Sequence, residues 1–326
     1  MTQFSTLYEK ERLIIENRLS KALKDRKPYS LYKPAAYIIE SGGKRLRPML
    51  VLFSTKASGG NFNKAYNAAV AVELLHTFSL VHDDIMDNAD KRRGRPTLHK
   101  KYDLCTAILA GDSLLSVAYE FLLKDAGNNA AEILKSFTRG LIEVCEGQSL
   151  DKDFELIKKV SIEDYIIMIE KKTAAMAEMC CNIGALIAGA SDKEVKALSA
   201  YGKNIGIAFQ IQDDLLDILG NESEFGKSVG GDLVEGKKTF LFLKALEKSS
   251  GKDKKDFLSV IERKGIKHKE IPKFRELYCK LGVIDDAKAE ILRYSEKALA
   301  QLKYIKSNED REFFVWLTNS LIKRSK

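Results

Sequence analysis

The chain has 326 residues, 45% of them hydrophobic, enough to bury a large core in one or two domains. Its net charge of +8 admits nucleic acid, an anionic surface or a polyanionic small molecule as partner. Lysines alternate with acids along the chain, however, and there is no arginine-rich arm, zinc-finger spacing or basic run interleaved with aromatics, which sets nucleic acid aside. Five cysteines, Cys105, Cys145, Cys180, Cys181 and Cys279, make an odd count without a C-x-x-C, so a disulfide framework is excluded and reduced thiols in a cytoplasmic protein are expected.

Residues 97–271 contain no proline and are rich in Ala, Leu, Ile, Lys and Glu, the pattern of successive helices. In chain order, helices are predicted at 5–25, 31–41, 47–58, 62–88, 102–125, 129–147, 161–190, 192–219, 233–248, 252–263, 269–280, 282–304 and 308–323. Capping boxes or near relatives mark starts at Thr6 with Glu9, Ser161 with Asp164 and Ser191 with Glu194. Strand signals are scarce, and no interior stretch reads as a linker, so 1–326 is expected to be a single all-α domain. The amino terminus becomes charged too soon for a signal peptide. Residues 173–191 approach the length of a membrane span, but Glu178 and Asn182 interrupt them; a buried helix and no transmembrane segment are expected.

Two acidic clusters interrupt this helical pattern. Asp83-Asp84-Ile85-Met86-Asp87 and Asp213-Asp214-Leu215-Leu216-Asp217 share one spacing, D-D-x-x-D, and each follows an apolar helical run. Residues four apart share a helix face, so Asp83 pairs with Asp87 and Asp213 with Asp217. A single such motif also reads as a solvated acidic turn; its recurrence argues against that. Carboxylates without a Cys/His set favour Mg2+, which completes its shell with waters and substrate phosphates. A Mg2+-bound diphosphate is the ligand this chemistry suggests.

Two loops follow the motifs. Asn88 to Thr97 carries Arg92 and Arg93; Gly220 to Lys238 carries Gly226, Gly230, Gly231 and Gly236 with Lys227, Lys237 and Lys238. Glycine allows close backbone approach and a mobile lid, and lysine supplies point charge for phosphate. Further basic groups lie in Gly42-Gly43-Lys44-Arg45-Leu46-Arg47-Pro48 and at His76. Taken singly, these read as a helix start and a packed histidine.

Together with D-D-x-x-D-x-x-x-x-R-R-G and F-Q-x-x-D-D-x-x-D, they make the chain resemble the trans-type polyprenyl diphosphate synthases from Gly42 to Lys238, and among these the archaeal-type geranylgeranyl diphosphate synthases. The resemblance implies an orthogonal bundle of about 13 helices around a deep central cavity, the type I isoprenoid synthase fold, as a homodimer. It implies an allylic diphosphate that ionises and a carbocation that alkylates isopentenyl diphosphate. By the same matching Asp83, Asp87 and Asp213 would ligate Mg2+, three ions per site, with Asp84 and Asp217 supporting the metal shell. Arg92, Lys172, Lys227 and Lys237 would neutralise the leaving diphosphate; Lys44, Arg47, His76 and Arg93 would hold isopentenyl diphosphate. Thr173 and Gln210 fall on the family's K-T and F-Q positions and would stabilise the cation. No side-chain nucleophile is required.

Phe78 precedes Asp83 by five residues, about 7.5 Å along a helix. It reads either as core or, through the resemblance, as the floor that stops the growing chain, with small Ser79 removing a nearer block. A twenty-carbon product is expected, with fifteen or twenty-five carbons as the nearest alternatives. A terpene cyclase would lack the G-G-K-R stretch, and a non-catalytic partner subunit would have lost motif residues that are present here.

Overall fold

The computed structural model describes residues 2–220 and 229–322, and apart from one short hairpin its regular elements are helical. The chain divides into two compact units. One comprises residues 1–139, 179–199 and 304–313; the other comprises 140–178, 200–303 and 314–326.

The first unit holds α1 (Gln3–Ala22), α2 (Tyr29–Ile39), α3 (Leu46–Ala57), α4 (Tyr66–Met86), α5 (Leu98–Lys101) and α6 (Leu104–Asp125). Helix α4 packs along α6. Its run from Ala68 to Leu75 is buried without a break, because it has helices on several sides. Phe53 of α3 stacks on Phe313 with ring centroids 3.4 Å apart, and Phe4 meets the same ring edge-on. Phe53 and Phe313 are buried, and each such ring contributes roughly 1.5–3 kcal/mol. Between α4 and α6 lies a two-stranded hairpin, β1 (Lys91–Arg92) and β2 (Arg95–Pro96), inside the loop predicted from 88 to 97. Its turn residues Arg93 and Gly94 have φ of 52° and 74°, the pair of positive values that a tight primed turn requires.

Helices α7 (Ala130–Leu156), α9 (Ala175–Ala188) and α10 (Asp192–Leu219) each contain a unit boundary. The second unit adds α8 (Ile162–Ile169), α11 (Gly231–Val234), α12 (Phe240–Lys248), α13 (Gly251–Arg263), α14 (Ile271–Lys280) and α15 (Val283–Gln301). Helix α16 (Asn308–Ile322) closes the order. The second core centres on Phe257, which touches Phe242, Phe274 and Tyr278.

Four boundaries differ from those expected. Thr2, not Thr6, caps α1, accepting from the Ser5 amide. Helix α7 runs nine residues past 147. The stretch 233–248 is two helices: Gly236 at φ 70° leaves no room for a Cβ against the Gly265 backbone, and Thr239 caps a fresh start. The predicted helix 161–190 contains a π-turn, Glu170–Ala174, whose wider hydrogen bonding cannot be read from apolar spacing. The boxes at Ser161 with Asp164 and Ser191 with Glu194 form as expected. The expected buried helix at 173–191 is interior, with Cys180, Cys181 and Ile183 fully buried. By length and composition one described helix, α6, could cross a membrane; its buried side faces α4.

Candidate active site

In the first unit α4 carries His76, Phe78, Ser79, Asp83 and Asp84, with Asp87 as its C-cap. Asp83 is half-buried and Asp87 exposed. Asp84, one residue on, turns inward: it is 2% exposed and accepts from Arg92 Nε at 2.8 Å. Its other oxygen is buried without a hydrogen-bond partner. Burial raises this carboxyl above its ordinary value, with Arg92 opposing. Asp84 and Arg92, expected at the metal shell and the diphosphate, are therefore spent at least partly on each other.

The hairpin turn throws Arg93 onto the G-G-K-R loop. Its guanidinium donates to the Gly42 carbonyl and, at 3.4 Å, to Ser41 Oγ. A Cβ at Gly43, φ 147°, would meet that guanidinium at 2.9 Å, so the second glycine is what permits the contact. Arg45 was not singled out by the sequence. It is buried at the start of α3 and donates to Glu73 at 2.7 Å and Glu16 at 2.8 Å, anchoring the loop from beneath. Lys44 stays exposed, its carbonyl held by the Tyr8 hydroxyl at 2.6 Å.

Arg47 contacts His76 Nε2 at 3.2 Å. A guanidinium only donates, so Nε2 accepts and the ring proton sits on Nδ1; Nδ1 is buried without a partner. Burial first, then Arg47, Arg93, Arg92 and Arg45, hold this imidazole well below its ordinary value, so it is neutral. The first unit thus gathers Arg47, His76, Arg92 and Arg93 as one basic cluster.

Half-buried Phe78 lies against His82, ring centroids 4.5 Å apart. The space for His82 comes from Gly111 of α6, where a Cβ would fall 2.4 Å from the imidazole, and Asp112 lies 3.6 Å from its Nε2. Sequence reasoning missed His82 and Gly111; only a distance across two helices reveals them. Ser79 Oγ donates to the His76 carbonyl.

In the second unit, backbones approach closely enough to fix side chains. A Cβ at Gly206 would sit 2.6 Å from Ala174 Cα, and one at Gly202 2.5 Å from the Ala177 carbonyl. One turn beyond Gly206, Gln210 accordingly meets the π-turn: Thr173 Oγ1 donates to its Oε1 at 2.8 Å. The Gln210 amide donates at 3.0 Å to Asp214, which also accepts from the Tyr165 hydroxyl at 2.6 Å and the Phe240 amide at 3.4 Å. Asp214 is buried, and burial, followed by the charge of Asp232, pushes it up to about 8. Neither Asp214 nor Tyr165 was assigned from the sequence.

Asp213 is exposed at the surface of α10. Asp217 accepts from the Asp232 amide at 3.2 Å, tying α10 to α11. Lys172 pairs with Asp151 at 2.6 Å, and Lys237 with Glu235 at 2.7 Å. Lys238 turns inward to the Phe154 carbonyl. Lys172, Thr173, Gln210, Asp214 and Lys237 share a pocket of 110 Å³. Lys227 and Gly226 lie outside the described residues. Among the described residues no three His, Cys, Asp or Glu side chains form a metal-holding group; each motif offers a pair.

Residues 28–278 match the polyprenyl synthetase family. The chain belongs to that family. It is 48% identical over 225 residues to the geranylgeranyl diphosphate synthase of Methanosarcina mazei, covering 68% of this chain and 69% of that one. It is 37% identical to the geranylfarnesyl diphosphate synthase of Natronomonas pharaonis over 96% of both chains. Among solved structures, geranylgeranyl pyrophosphate synthetase from Pyrococcus horikoshii Ot3 superposes with a TM-score of 0.91 at 38% identity, covering 99% of this chain and 98% of that one. The fold is thus the all-α isoprenoid synthase fold, and the chain is a prenyltransferase.

Proposed function

We infer that the protein condenses isopentenyl diphosphate with allylic diphosphates to give geranylgeranyl diphosphate and pyrophosphate. The observation that carries this reading is the segregation of charge within the first unit. Asp83, half-buried, and Asp87, exposed, form a carboxylate pair, while Arg47, Arg93 and neutral His76 form a separate basic cluster. One diphosphate is suited to metal, the other to direct cationic grip.

Oxygen-only pairs suit Mg2+. Asp83, Asp87 and Asp213 would hold it, and it would neutralise the charge that develops on the departing diphosphate. Asp84, held by Arg92, and Asp217, held by the Asp232 amide, would support the metal shell. Lys172, Lys237 and Lys227 add charge to the allylic side. Lys44, Arg47, His76 and Arg93 anchor isopentenyl diphosphate, with His76 seated against Arg47. Thr173, whose hydroxyl proton is committed to Gln210, turns lone pairs toward a developing allylic cation. The released pyrophosphate takes the final proton.

A homodimer suits α6, whose outer face exposes Leu104, Leu109 and Leu123 at 52–59%. The single-domain reading of 1–326 is kept, since α7, α9 and α10 are continuous through both units. A C25 product is the second reading, favoured by small Ser79 and the geranylfarnesyl relative. Incubation with Mg2+, isopentenyl diphosphate and each allylic primer, followed by product chain-length analysis, tests both; no elongation from any primer refutes the assignment.

A further inference from the structure

A cleft of 660 Å³ opens on the first unit where α1 gives way to α2, and it shares no lining residue with either site above. The volume lies in the range of small-molecule sites. Five cations line it, Lys24, Arg26, Lys27, Lys33 and Lys101, against two acids, Asp25 and Glu40. Arg26 is committed to Glu120 at 2.8 Å, and Lys101 lies 3.6 Å over the Tyr37 ring. Among the described residues Lys24, Lys27 and Lys33 make no ion pair; Lys33 has only the Tyr29 face, at 5.5 Å. A lysine row on a helix is ordinarily a solvated face. Here a turn at Asp25, φ 62°, and the following helix bring the excess charge around a concavity instead.

The cleft wall is also joined to the basic cluster. Tyr37 lines the cleft and donates to the Pro96 carbonyl at 3.0 Å, in the strand opposite Arg92, and carries Arg95 on its ring at 4.2 Å. Helix α2, which bears Tyr32, Lys33 and Tyr37, runs out at Ile39, and Ser41 and Gly42 just beyond receive Arg93.

We propose that this cleft is a further anion site, binding a condensed phosphate, and that its occupancy alters the grip of Arg93, at the turn of the adjoining hairpin, on isopentenyl diphosphate. Excess charge and open volume select a compact polyanion, free or as the head of a prenyl diphosphate. The coupling half rests on the substrate assignment above; the binding half does not.

Titration calorimetry on the full chain with inorganic triphosphate, without metal, is expected to resolve two classes of site. Lys24→Glu/Lys27→Glu should weaken one at least tenfold, and Arg47→Ala only the other. Lys24→Gln/Lys27→Gln serves if the charge-reversed variant melts early. Turnover without triphosphate should be unchanged in the Lys24/Lys27 variants. At fixed free Mg2+, the triphosphate-induced change in KM for isopentenyl diphosphate should shrink in them to the part due to direct competition. Geranylgeranyl diphosphate and ATP in parallel distinguish a lipid-borne from a free phosphate. One class of site, abolished by Arg47→Ala and untouched at Lys24 and Lys27, overturns the proposal. Two classes with an unaltered KM response would overturn the coupling alone.

Discussion

The two aspartate motifs are alike in sequence and in the way each helix presents them, yet they are neutralised differently. In both, the first and fifth carboxylates are exposed or half-buried and the second is buried, 2% exposed at Asp84 and 7% at Asp214. Asp84 is matched by a cation, Arg92, eight residues further along the chain. Asp214 is matched by neutral donors, Tyr165, Gln210 and the Phe240 amide. At Asp84 the cation opposes burial without cancelling it, whereas at Asp214 there is no cation and burial with Asp232 pushes the carboxyl toward protonation. The motifs differ again five residues upstream: half-buried Phe78 precedes Asp83, and buried Ala208 precedes Asp213. Only the first helix carries a ring there that a growing chain could strike.

The largest effect should come from the shared first positions. Asp83→Ala and Asp213→Ala are each expected to lower turnover by several orders of magnitude with helical content unchanged, because each removes a metal-binding oxygen pair. Steady-state rates with circular dichroism check this, and near-native activity in either would break the likeness of the motifs.

Next comes the basic cluster, which the second motif lacks in this form. Arg47→Ala should raise KM for isopentenyl diphosphate about 10- to 150-fold, the worth of a charge-assisted hydrogen bond of about 1.5–3 kcal/mol. The allylic KM should barely change. Equal losses for the two substrates would dissolve the separation of diphosphates.

How much of this was legible depended on what the pattern had to specify. Helix positions, the paired carboxylates and the basic loop all follow from local spacing. Whether a second aspartate meets metal, arginine or tyrosine does not, because Asp84 and Asp214 look alike until Arg92 and Tyr165 are placed. The inward turn of Lys238 beside outward Lys237, and the π-turn under Lys172 and Thr173, likewise depend on packing against α7 and α10.

Phe78→Ala probes the upstream difference. Products longer by one or more five-carbon units are expected, at a stability cost of about 3 kcal/mol or less for a half-buried ring. Unchanged product length with a large fall in Tm would make Phe78 core and leave the two helices equivalent.

The last effect is one of pH. The folded-state value of Asp214, about 8, exceeds the unfolded 3.8, so stability from this group is lost as pH rises between them. In metal-free protein the Tm of Asp214→Asn relative to native should therefore increase from pH 5 to pH 8. A flat difference would mean that the dipoles around Asp214 offset its burial.

The π-turn at Glu170–Ala174 has a consequence for how this chain can change. It holds one residue more than an α-helical turn would at that place, and each helical residue rotates its side chain by about 100°. Loss of any single residue there would relax the segment to a regular helix and swing everything on one side of it out of phase. Thr173 would leave Gln210, and the Lys172 backbone would lose the groove that Gly147 leaves open for it. Substitutions along this segment can be tested one at a time by selection; a deletion moves the whole constellation together.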